Sequence, residues 1–207
     1  MHERRSERER VLYQTALTRG GLFRLDEAEA LGFSRRVAAY RVERGEWERV
    51  GRGIYRLVFA PRSPDEDLVR IALWAHNPWG PVAFSHETAL LIHDLSDLVP
   101  DRHHLTVPRR FDRKPPTGVS LHRSDLAPDD LEERTGYLVT SPLRTLLDIA
   151  RSPRIAPEHL EVALAQVLER GLVRMSRLEE AAKGLPAAAR KRLAKALAAV
   201  DFQRTGV

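Results

Sequence analysis

Ser34, Arg35, Arg36 and Tyr40, followed by Arg49 and Arg52, are the residues whose types and spacing best suit chemistry with a partner. A guanidinium presents a planar fork of donors that fits a guanine edge or a phosphate. Ser34 can cap a helix, because its hydroxyl accepts from an otherwise orphaned amide of the first turn. Arg35 and Arg36 then occupy that turn, where side chains can enter a major groove. One of them suits a guanine edge and the other a phosphate; Tyr40 suits a phosphate or a thymine methyl. Arg49 and Arg52 suit the flanking backbone or the minor groove. The competing reading is a solvated face on a module that binds protein.

Other constellations carry less. Among eight histidines, His86 and His93 share a helix face, and His103, His104 and His122 adjoin the ends of two expected strands. A metal site of His86, His93 and His122 is conceivable. Neither a His-x-x-x-His pair nor an HExxH motif occurs, however, and hydrogen-bonded structural histidines are the simpler account. Asp148 with Glu161, or Asp94 with Asp97, could serve a nuclease, but no strand-borne Asp precedes a Glu-x-Lys. Asp148 is more simply an i, i+4 ion-pair partner of Arg144. Ser85-His86 and Ser141 lack an ordered base and orienter, and no glycine-rich phosphate loop is present. The reading is a protein that is not an enzyme, with no catalytic residue, no metal and no cofactor.

The elements that must position the arginines follow from pattern. Ser6–Arg19 reads as a helix with Val11, Leu12, Thr15 and Ala16 on its apolar side. Leu22-Phe23 suits a short strand, and Leu25–Leu31 a short helix closed by Gly32-Phe33. Ser34 to Gly45 gives a second helix across a tight turn, with Ala38, Arg41 and Val42 inward. Trp47–Val50 and Ile54–Leu57 flank Gly51-Arg52-Gly53, a hairpin pattern. Helix, turn, helix and basic-tipped hairpin together describe a winged helix. Arg4 to Arg10 could be a phosphate-touching arm, but interleaved glutamates favour a solvated helix end.

Beyond Val58–Pro64, a proline-bearing linker, the pattern is mixed. Helices are expected at Asp65–His76, at Glu87–Leu95 capped by Ser85, and after Ser141-Pro142. Strands are expected at Leu105–Val107, Val119–Leu121 and Tyr137–Val139. Pro157–Glu169, Ser176–Lys183 and Pro186–Ala199 complete a helical tail whose last member carries a basic face of Arg190, Lys191, Arg192 and Lys195. The fold class is thus α+β: a winged helix-turn-helix at 1–60, and at 65–207 a mixed α+β domain with a small sheet and a helical tail.

Charge agrees with this division. Residues 1–57 hold 13 Arg against 9 acidic residues, which is four of the chain's five net positive charges. That clustering is the footprint expected for a polyanion partner. No cysteine is present, which excludes disulfides and thiolate chemistry and points to the cytoplasm. No apolar run reaches the length of a membrane span.

The sequence resembles the AbiEi-like antitoxins of type IV toxin–antitoxin systems over roughly Arg10 to Ala150. The likeness rests on Gly45 to Leu57 (GEWERVGRGIYRL), on Ser85-His86-Glu87-Thr88-Ala89-Leu90 with His93 and Leu95, on His104 to Pro108, and on Thr140 to Asp148 (TSPLRTLLD). The resemblance implies a DNA-binding antitoxin that represses its own operon, on double-stranded promoter DNA bearing inverted repeats. It also implies a nucleotidyltransferase-like toxin as the opposed partner, met directly or indirectly. The alternatives are a winged-helix transcription factor with a ligand-sensing or dimerising second domain, or a nuclease remnant.

Overall fold

The computed structural model describes residues 2–205, and side chains over residues 7–201. Two compact units divide the chain. One comprises the chain through His76 with Glu133–Tyr137, the other Asn77–Glu132 with the residues from Leu138 onward.

The first unit runs α1 (His2–Leu17), β1 (Leu22–Arg24), α2 (Leu25–Ala30), α3 (Arg35–Glu43), β2 (Trp47–Gly51), β3 (Ile54–Leu57) and α4 (Glu66–Ala75). Its antiparallel sheet has the order β1-β3-β2. This is a winged helix. Phe23 and Trp47 meet edge to face with centroids 4.8 Å apart, Phe33 lies 5.8 Å from Trp47, and Tyr55 stacks on Phe23 at 6.0 Å. Such aromatic contacts add to the large area each ring removes from water. Gly21 sits at φ +85°, and a Cβ there would stand 2.4 Å from that of Ala60, so only glycine lets these backbones approach.

Helix α4 packs on β1 and β3 and buries Val69, Ile71, Leu73 and Ala75. The boundary expected at residues 60–65 therefore falls inside the first unit. The prolines of 58–64 break periodicity, but the chain is tied across them. Buried Arg56 lies 3.7 Å from Glu66, and Tyr137 donates to Asp65 at 3.1 Å. The side chains of Arg4 and Arg5, in the suggested arm, lie outside the described residues.

The second unit contains β4 (Ala83–Phe84), α5 (His86–Ile92), β5 (His103–Val107), β6 (Val119–Arg123), β7 (Leu131–Arg134), β8 (Tyr137–Thr140), α6 (Pro142–Arg151), α7 (Pro157–Glu169), α8 (Met175–Lys183) and α9 (Ala187–Thr205), with some residues of β7 and β8 counted with the first unit. The sheet order is β6-β5-β4-β8-β7. Strands β5 and β6 are parallel, as are β4 and β8. The loop of residues 108–118 is long enough for a parallel crossover, which a tight turn could not make. Two strands, β4 and β7, join the three expected. Each is too short or too charged to show alternation.

Helix α6 begins where its sequence directs. Ser141 Oγ accepts from Arg144 N, and Pro142 follows at the first position. The helical core gathers Leu146, Ile149, Leu160, Leu164, Leu178 and Leu193. Arg192 does not sit on a free basic face: its guanidinium donates to the carbonyls of Ser152 and Ile155, closing the turn between α6 and α7.

Candidate nucleic-acid interface

Helix α3 starts as the sequence requires. Ser34 Oγ accepts from Val37 N at 3.3 Å, and Gly45 at φ +69° ends the run. Ala38 is buried against the aromatic core. Arg41, one turn on, is only 12 % exposed; it reaches Glu9 of α1 at 2.7 Å and also pairs with Glu46. This inward arginine locks α3 to α1 and to the start of the wing, leaving the opposite face to solvent. On that face Arg35 and Arg36 project from the first turn.

The two are not equivalent. Arg35 is 82 % exposed, but its Nε lies 3.0 Å from Glu29 Oε1 on α2. Arg36 is exposed, and no carboxylate pairs with it among the described residues. Tyr40 is 52 % exposed, with the Arg44 guanidinium 5.8 Å from its ring centroid and within 3.5 Å of its hydroxyl. A second cation therefore backs the tyrosine, which the sequence reading missed, although the i, i+4 spacing was there to find it.

The wing is β2 and β3, with a register irregularity between Arg49 and Gly51. Such a bulge bends and twists the hairpin. Arg49 Nε donates to Gly51 O at 3.4 Å. Arg52 stands exposed at the tip, without an ion pair among the described residues. All six residues expected to contact DNA are thus exposed on the first unit.

The histidines take a different arrangement from the conceivable metal set. His93 is drawn away, with Nε2 2.7 Å from the carbonyl of Thr140. His86 instead stacks on His122, with centroids 3.6 Å apart and planes inclined by 14°. His104 Nδ1 lies 2.9 Å from His122 Nε2 and 3.2 Å from Glu87 Oε2. Among the described residues no group of three or more possible ligands is placed to hold a metal ion. Ser85 makes no capping bond to α5; its hydroxyl accepts from Thr106 at 2.8 Å and meets His86 Nδ1 at 3.0 Å. Burial holds the His86 imidazolium pKa down to about 2, reinforced by His122, His104, Arg144 and Arg151. His122 is held to about 4, by burial and then by His104. Asp148 is the ion-pair partner of Arg144, with Nε 3.0 and 3.1 Å from its two oxygens.

A winged helix with exposed cations on α3 is an arrangement suited to double-stranded DNA. Residues 10–58 match a family model described as "Transcriptional regulator, AbiEi antitoxin". Residues 82–199 match one described as "AbiEi antitoxin C-terminal domain". The chain belongs to the AbiEi antitoxin family. Its fold is similar to that in the crystal structure of the RV2827C protein from Mycobacterium tuberculosis, with a TM-score of 0.58 and 20 % identity, covering 91 % of this chain and 75 % of that one. No curated protein matches the sequence. Among the described residues no helix is long and apolar enough to cross a membrane.

Proposed function

We propose that the protein is the antitoxin of a type IV toxin–antitoxin operon and represses that operon by binding inverted repeats in its promoter. The observation that carries this reading is the exposed Arg36, without an ion pair among the described residues, on a capped α3 of a winged helix, within a chain whose two parts both match AbiEi antitoxin families. Arg36 reads a base edge from the major groove. Arg35, shared with Glu29, holds a phosphate. Tyr40 touches the backbone, and Arg49 and Arg52 hold the flank. The second unit opposes a nucleotidyltransferase-like toxin, directly or through a shared target, in the cytoplasm.

A mobility-shift series on the protein's own promoter and on random DNA tests the DNA half. Arg36→Ala should cost about 1–3 kcal/mol on the operator and little on random sequence. Unchanged operator binding in an Arg35→Ala/Arg36→Ala variant would rule out α3 as the reader. For the other half, a chain lacking residues 77–207 should lose rescue of cells expressing the adjacent toxin. Rescue by the winged helix alone would refute the division of labour.

A further inference from the structure

The second unit holds a polar cleft of about 320 Å³ beside the stacked histidines. Its walls include His86, His122, Arg123, Ser124 and Arg151, together with the Arg144–Asp148 pair. Arg144 is saturated: Nε spans Asp148, Nη1 meets Asp130 at 2.9 Å and Nη2 meets Ser124 at 3.3 Å. Arg123 uses only Nε, donating to Phe111 O at 3.4 Å. Arg151 makes a single contact with Asp148, at 3.3 Å. Both terminal nitrogens of Arg123, and Nη2 and Nε of Arg151, have no partner among the described residues. Nor do His86 Nε2 and His122 Nδ1, since the other nitrogen of each ring is taken by Ser85 and His104 respectively.

His86 also carries strain. It sits at φ +53° at the start of α5, a conformation that costs a non-glycine residue free energy and recurs where a side chain must be aimed. Here the result is an imidazole buried face to face with His122, its edge available to the cleft. Convergent guanidinium and imidazole donors around a recess at the small end of the ligand-pocket range suit a compact, multiply charged oxyanion.

We propose that this cleft binds a phosphate-bearing small ligand, with Arg123 and Arg151 as its charged clamp and His86 and His122 as neutral donors. The depressed basicity of the two histidines fits this reading, because the nearby guanidiniums that oppose a proton on His86 are the charges that would attract an anion. The inference rests on the cleft's geometry and is independent of the proposed antitoxin action.

The full chain in phosphate-free buffer decides it. Imidazole resonances of His86 and His122 are followed by NMR while inorganic phosphate, a nucleoside triphosphate or a short DNA duplex is titrated in separately. Saturable shifts with inorganic phosphate support the proposal. At least about ten-fold tighter response to the triphosphate would assign a nucleotide as the source, and equal response a simple phosphate. Arg123→Ala/Arg151→Ala should weaken the response about ten-fold or more, whereas Arg110→Ala, an exposed arginine outside the cleft, should leave it unchanged. No shift with either small ligand, shifts with the duplex alone, or equal weakening by Arg110→Ala would each overturn the proposal.

Discussion

Acidification offers a sharp test of the buried histidine stack. His86 is 9 % exposed and stacked on His122, and burial, followed by His122, His104, Arg144 and Arg151, opposes a proton on it. Its folded pKa of about 2 lies below the unfolded value of 6.5. The stability it contributes is therefore complete above pH 6.5 and is lost progressively as pH falls below that value toward 2. At pH 5 the unfolded chain gains about 1.36 kcal/mol for each of the roughly 1.5 units below its own pKa, or about 2 kcal/mol from His86. His122, held to about 4 and partly exposed, adds a solvent-screened share of about 1 kcal/mol. Urea unfolding followed by circular dichroism at pH 7.5 and pH 5 measures the loss. His86→Asn is the informative comparison, because Asn tolerates the left-handed backbone at this position and does not titrate. Its stability should depend less steeply on pH than wild type, by about 2 kcal/mol over this interval. Identical pH dependence in the two proteins would refute the claim that His86 is buried neutral.

Further expectations concern the first unit. Arg52→Ala should weaken operator and random DNA alike and reduce the salt slope by about one phosphate's worth, measured by binding across a salt series. Trp47→Ala, which removes the centre of the aromatic cluster, should cost about 3–5 kcal/mol in unfolding experiments on the winged-helix unit. A fragment ending at residue 76 should resist urea better than one ending at 64, because the latter loses the buried face of α4; equal midpoints would show that α4 adds nothing to this unit. Burial and the neighbouring Asp65 carboxylate raise the Tyr137 pKa to about 12. Stability from this group is complete below pH 10 and falls as pH rises from 10 towards 12, and Tyr137→Phe should flatten that alkaline loss.

The winged helix was legible in the sequence because its determinants are local. Ser34, Gly45 and the Gly51-Arg52-Gly53 tip act within a few residues of themselves, and each does in the structure what its chemistry requires. The same holds for Ser141-Pro142 and for the i, i+4 pair of Arg144 and Asp148. The exposure of the six residues expected to contact DNA likewise follows from their type and spacing, since exposure needs no distant partner. What the sequence alone did not determine depends on contacts between residues far apart along the chain. The place of α4 in the first unit follows from packing on β1 and β3, which the prolines of the linker disguise. Ser85 looked like a cap, yet Thr106 on a neighbouring strand claims its hydroxyl. His86, His104 and His122 become one stack only because parallel pairing of β5 and β6 sets Thr106 opposite His122 and His104 opposite Ser120. Periodicity fixes which residues share a face of one element. It carries no information about which strand will lie beside it, and the cleft exists only through that choice.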